Sequence, residues 1–241
     1  MTQESPTAQE TQERASRVRK QITSFILIAI VMFFAGLTSA YVVSMSGGYW
    51  VDIKVPRSFL FGTAAILLSS LFAQLALNAA RKDRSGPVAP FLIVTLLLGL
   101  VFTWYQFQGW DELTSKGNFL ISKILDNKGV YGEDYTIRFQ GVPLIQENGQ
   151  FYHPDDVARA RSLNADLDEQ KNTSSSFFFA LTGAHLAHLA FGLLSVAVMV
   201  VMALQHRYTT VDHAGLWSGV MYWHFLGALW IYLLLFLVFV H

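Results

Sequence analysis

Five apolar runs, at residues 22–43, 59–80, 89–107, 176–204 and 216–240, contain no Asp, Glu, Lys or Arg and constrain this chain more than any other feature. Crossing about 30 Å of hydrocarbon takes about 20 such residues in a helix, and within lipid each backbone N–H and C=O must be paired inside the segment. The expected fold is therefore an all-α membrane protein, a five-transmembrane-helix bundle. Of the 241 residues, 53% are hydrophobic and only 14% charged, too few charges to cover a water-soluble domain. Those charges collect at the N-terminus, in Arg81 to Arg84, and between Asp111 and Lys171.

The organisation expected from this pattern is a disordered cytoplasmic tail at 1–20 and three spans within 21–109. An external loop or cap at 110–172 follows, and then two further spans within 173–241. Alternating spans put Arg14, Arg17, Arg19 and Lys20 on the same side as Arg81, Lys82, Arg84 and Arg207. The positive-inside rule makes that side cytoplasmic, so the N-terminus is expected in the cytoplasm and the C-terminus in the periplasm, although Lys54 and Arg57 then lie outside. The first run has too long an apolar core for a cleaved signal peptide and shows no small-residue cleavage site, so it is expected to remain as an anchor.

The polar stretch 110–172 has more Asp and Glu than Lys and Arg. Asn148-Gly149, between the apolar Val142 to Ile145 and Phe151-Tyr152, predicts a hairpin. Pro154-Asp155-Asp156 ahead of Val157 predicts a helix start. A cap of this size needs a neighbour to be stable. Its Asp pairs lack EF-hand spacing and read as a solvated acidic face.

With no cysteine, disulfides, iron–sulfur clusters, thiolate copper sites and thioether-linked haem are excluded, so any metal would need histidine. A formal net charge of +0 without a basic face argues against nucleic acid as a partner.

Ionisable groups inside a span are costly and generally kept for function or helix contacts. On the fourth span Thr182, His185, His188, Gly192 and Ser195 fall on one face at helical spacing. Small and polar residues on one face are the expected signature of close packing in lipid. The fifth span carries Tyr222, Trp223, His224 and Trp230. At about 1.5 Å per residue, His188 lies roughly 18 Å below the outer face and His224 roughly 12 Å above the inner face, depths that coincide on antiparallel helices. A contact between them, direct or bridged by Thr182, Tyr222 or water, is geometrically allowed. Three readings stay open on the residues alone: structural hydrogen bonding between the two helices, haem ligation by His185, His188 and His224, or a proton path. The last is weakened because the spans contain no carboxylate.

These segments resemble subunit III of the haem-copper respiratory oxidases, the cytochrome c oxidase subunit III family, in its short five-helix form. The family's Thr-Gly-x-His-x-x-His-x-x-x-Gly run is matched by Thr182, Gly183, His185, His188 and Gly192. Its closing Tyr-Trp-His-Phe followed by Trp is matched by Tyr222, Trp223, His224, Phe225 and Trp230. The run from Met32 to Tyr41, Leu67-Leu68-Ser69-Ser70, and Gln106 before Trp110 are similar to the family's other spans. The resemblance implies an accessory subunit with no catalytic, metal or cofactor residue of its own. Thr182, His185, His188, Tyr222, Trp223, His224 and Trp230 would then form a structural polar cluster between the last two helices. Haem and copper belong to the catalytic subunit I, which with subunit II and phospholipids is the expected partner set. By the resemblance, the complex is expected to reduce oxygen in aerobic respiration while pumping protons, in the bacterial inner membrane.

Departures from the family pattern are equally specific. Ile30, Gly109 and Gly227 stand where the family commonly has carboxylates, which removes intramembrane charge. The chain starts at what would be the third helix of the long form, so a lipid cleft like that of the long form would need another subunit to close it. The loop at 110–172 is longer than the family implies and is a candidate dock for other respiratory subunits. Cytochrome c is the expected donor to the complex, with a quinol oxidase as the alternative. A haem-ligating cytochrome b-type anchor is the alternative from another class. A transporter is disfavoured, because no inverted repeat or Gly/Pro break pair is visible.

Overall fold

The computed structural model describes residues 8–82, 84–208 and 214–240. Five long helices account for most of it: α1 (Ala8–Met45), α2 (Arg57–Arg81), α3 (Val88–Ser115), α5 (Thr173–Leu204) and α6 (Ala214–Phe239). Each is long and apolar enough to cross a membrane, and the chain is a multi-pass membrane protein. Residues 8–20, expected as tail, are instead the first turns of α1. Ala, Gln, Glu, Arg and Lys predominate there, all good helix formers, and they extend a helix already nucleated by the apolar run. Residues 1–7 of the expected tail lie outside the described residues.

Helix boundaries follow local chemistry. α3 opens behind Pro87 and carries Pro90 in its first turn, where a missing N–H leaves no helical bond unmade. α2 ends on Arg81, a cation placed favourably at the negative end of the helix dipole. α5 is capped by Asn172, whose Oδ1 accepts from the Ser175 backbone N–H at 3.0 Å. The same asparagine donates through Nδ2 to Asn118 Oδ1 at 3.2 Å, fixing the α5 entry to the chain leaving α3.

The chain divides into two compact units, and each long helix contributes a segment to both. Unit one comprises residues 1–33, 64–101 and 188–228; unit two comprises 34–63, 102–187 and 229–241. Unit one is centred on the buried Trp223, with Leu92, Leu189 and Leu226 also removed from solvent. Gly99 makes room for it, since a β-carbon there would lie 2.7 Å from Trp223 Cη2 and 2.8 Å from Leu193 Cδ2. In unit two the Trp230 ring meets Phe59 and Phe102 edge to face, with centroids 5.4 and 5.2 Å apart. Tyr41 likewise packs edge to face on Trp50 and Phe236.

Unit two also contains β structure. β1 (Tyr49–Ile53), from the α1–α2 connection, pairs antiparallel with β2 (Tyr135–Phe139), which pairs with β3 (Val142–Pro143). The expected neighbour for the cap is therefore a strand from another loop. β4 (Ile145–Glu147) and β5 (Gln150–Tyr152) form the hairpin predicted at Asn148-Gly149. Both turn residues have positive φ, 52° and 78°, as a two-residue hairpin turn of the I′ kind requires. The helix expected after Pro154 does not form. Asp156 accepts the N–H groups of Ala160 and Arg161 at 3.1 and 2.9 Å, while Arg159 turns left-handed at φ 53° and pairs with Glu147 at 3.0 Å. These bonds close a loop where a helical turn would have begun, and the short helix α4 appears later, at Asn164–Glu169.

Candidate functional site

Inside a span, a hydroxyl, amide or imidazole must bond its own helix or reach a neighbour. Three of the polar side chains of α6 find partners on α2. In unit one, Trp223 Nε1 donates to Ser69 Oγ at 2.9 Å, and Ser69 Oγ donates to the Thr95 carbonyl at 2.9 Å, so three helices meet at one buried serine. His224 bonds two α2 side chains: its Nδ1 meets the Ser70 hydroxyl, and its Nε2 lies 3.0 Å from Gln74 Oε1. Gln74 Nε2 donates to Asn78 Oδ1 at 2.9 Å. With Ser70 and Gln74 at its two ring nitrogens, His224 has both nitrogens engaged.

Between α5 and α6 in unit one, the Tyr222 hydroxyl donates to the backbone carbonyl of His188 at 3.0 Å. The His188 ring lies 6.1 Å from that of Phe33 on α1. In unit two, Thr182 on α5 accepts from Trp110 Nε1 of α3 at 3.1 Å while donating to the Phe178 carbonyl at 2.8 Å. His185 is fully buried between the rings of Trp230, at 5.2 Å, and Phe102, at 5.9 Å. Trp230 Nε1 donates to Thr63 Oγ1 at 2.9 Å, and Tyr232 donates to Thr38 at 3.1 Å.

Of the seven residues expected to cluster between the last two helices, the structure thus brings together Tyr222 with His188 and His185 with Trp230. It sends Trp223, His224 and the Trp230 indole N–H to α2, and Thr182 to α3. Ser70, Gln74 and Asn78, at i, i+4 and i+8 on α2, were not singled out as functional from the sequence; that spacing on an apolar span was the signal that could have found them.

Unit one also holds a mainly apolar cleft of about 730 Å³, lined by α1, α5 and α6. Ile30, Phe33, His188, Phe191 and Tyr222 border it. Ser218, also on its wall, has a buried hydroxyl without a hydrogen-bond partner among the described residues. The positions lacking carboxylates differ in the space they offer. Ile30 is buried on this cleft, a side chain on Gly109 would run into the Phe59 ring, and a β-carbon on Gly227 would meet Ile66 only at 3.8 Å. Among the described residues, no group of three or more His, Asp or Glu comes together as a metal site.

Residues 164–241, which carry α5 and α6, match the family model for cytochrome c oxidase subunit III. Curated relatives named cytochrome c oxidase subunit 3 align along most of the chain. Those of Pan troglodytes and Homo sapiens are each 24% identical over 217 residues, covering 84% of this chain and 62% of the relative. That of Corynebacterium diphtheriae is 24% identical over 218 residues, covering 87% of this chain and 82% of the relative. The chain therefore spans about 62% of the length of the primate proteins.

Proposed function

We propose that the chain is a member of the cytochrome c oxidase subunit III family, whose model matches residues 164–241 and whose curated relatives align along most of the chain, and that it is the accessory, cofactor-free subunit of a proton-pumping haem-copper terminal oxidase. In this role it packs against the catalytic subunit and stabilises it while oxygen is reduced there. The observation that carries the reading is the family match over α5 and α6 together with what their polar groups do: they end on neighbouring helices. With both imidazole nitrogens engaged, His224 has none to offer an iron.

On this reading haem and copper reside in subunit I, with subunit II beside it. Cytochrome c is the donor to the complex, and a quinol oxidase is the alternative assembly. The N-terminus faces the cytoplasm of a bacterium, and the sheet-bearing segment 110–172 faces the periplasm, where it can meet other respiratory subunits. The cleft beside Ile30 suits a phospholipid acyl chain, because its wall is largely apolar and lies among three spans.

The test is to pull the chain from detergent-solubilised membranes, identify what accompanies it, and record spectra of the complex and of the separated chain. Co-purification with a large haem-copper subunit and a separated chain without a Soret band are expected. A haem that stays with the chain and is lost on changing His185, His188 or His224 would replace this reading with a cytochrome b-type anchor.

A further inference from the structure

The segment between α3 and the short 3-10 turn at Ile124–Asp126 places three apolar side chains in succession on the surface. Phe119, Leu120 and Ile121 are 46%, 55% and 82% exposed, whereas Ser122 and Ile124 on either side of Lys123 are buried. Three consecutive exposed apolar residues in a loop are a liability in water. The backbone here is prepared for a different solvent. Ser175 Oγ, in the first turn of α5, donates to the Phe119 carbonyl at 2.8 Å, and Ser176 Oγ donates to the Leu120 carbonyl at 2.7 Å. The Asn172 N–H donates to the Ser122 carbonyl at 2.8 Å, and the Asn118 N–H donates to the Leu113 carbonyl at 3.0 Å. Non-helical backbone is tolerated at membrane depth only when its polar groups are met by protein, and two α5 serines with the Asn172 N–H do that for the carbonyls of 119, 120 and 122.

The loop also sits at a definite level. Its carbonyls are bonded by residues 175 and 176, immediately before Phe177 begins the apolar part of α5. Beyond it, Lys123 and Lys171 are both exposed and pair through their backbones in an isolated antiparallel bridge, and the Lys123 ammonium lies 3.5 Å from the exposed Asp168 carboxylate. Cations just on the water side of an apolar insertion suit anionic lipid headgroups.

We infer that residues 119–121 form an interfacial membrane anchor, inserting Phe119, Leu120 and Ile121 into the acyl boundary of the leaflet at the sheet-bearing end, with Lys123 and Lys171 at the headgroups. The anchor holds the base of the cap against the bilayer. It needs only that the chain spans a membrane, and it stands whichever oxidase the chain joins.

Because the chain has no cysteine, a single spin label reports one site. The full-length I121C chain is labelled with a nitroxide in vesicles of phosphatidylcholine and phosphatidylglycerol. Its collision rates with oxygen, which partitions into lipid, and with a water-soluble nickel chelate are then compared. Two reference labels bracket the answer: L194C on the exposed face of α5 and V157C, at 87% exposure on the cap. The oxygen-to-nickel ratio at 121 is expected below that of 194, which lies deeper in the span, and several-fold above that of 157. A ratio near that of 157 overturns the anchor, and so does shielding from both reagents, which would mean that protein covers the loop. L120C, expected to behave like I121C, guards against a local effect of one substitution.

Discussion

Trp223 shows how a single side chain holds the spans. Its indole N–H ends on Ser69, and its ring fills the space left by Gly99 and Gly192. Trp223→Phe keeps a large ring but removes the donor, and hydrogen bonds between membrane helices average about 0.6 kcal/mol with a ceiling near 1.7. A loss of that size in thermal unfolding of the detergent-solubilised chain is the expected result; no change would mean that Ser69 re-pairs at no cost. Gly99→Ala tests the complementary steric term. Its β-carbon would meet two side chains below 3.0 Å, so overpacking of about 1–3 kcal/mol is expected in the same assay. Tyr222→Phe removes the bond to the His188 carbonyl and should again cost about 0.6 kcal/mol. A Tyr222→Phe chain as stable as the parent would show that this contact contributes nothing to the α5–α6 pairing.

At the scale of elements, sequence periodicity was a good guide wherever the partner was near. Asn148-Gly149 specified its own hairpin because both residues accept positive φ. The three-stranded sheet was not legible, because β1 has to find β2 across another span and back, and nothing in Tyr49–Ile53 names that partner. For the polar residues, depth along the helix could be counted but rotation about its axis could not. His224 was therefore read toward α5, while the structure turns it to the Ser70, Gln74 and Asn78 stripe.

Two predictions belong to the loop elements. Gly149 has a φ of 78°, so Gly149→Val should weaken the hairpin by about 1–2 kcal/mol, read as faster proteolysis at 145–152. Asp134 and Asp156 are both held below the usual carboxylate range, chiefly by backbone N–H bonds, from Val130 to Asp134 and from Arg161 and Ala160 to Asp156; Lys116 adds to the first. A depressed pKa in the folded state stabilises the loop above the ordinary carboxylate range, and that contribution is lost as pH falls through the lowered value. The amide resonances of Val130, Ala160 and Arg161 should therefore hold steady from neutral pH through the ordinary carboxylate range and shift only below it. A shift centred at or above that range would contradict these bonds.

At the scale of the whole chain, five charge-free runs were enough to give five spans, because lipid leaves a backbone few options. The resemblance to the family was legible for a different reason: the helix pair α5 and α6 carries its histidines, tryptophans and glycines at fixed spacing, and that same region matches the family model. The sheet has a consequence for how the molecule is made. β1 emerges from the ribosome early, and the residues facing Asp52 lie 84 positions later. At about 5–20 residues per second, a growing chain carries an unpaired strand edge for on the order of ten seconds while two more spans are inserted. A ribosome stalled in that interval would leave a nascent chain with an adhesive edge, which makes biogenesis, more than the finished fold, the stage at which this protein is most open to mispairing.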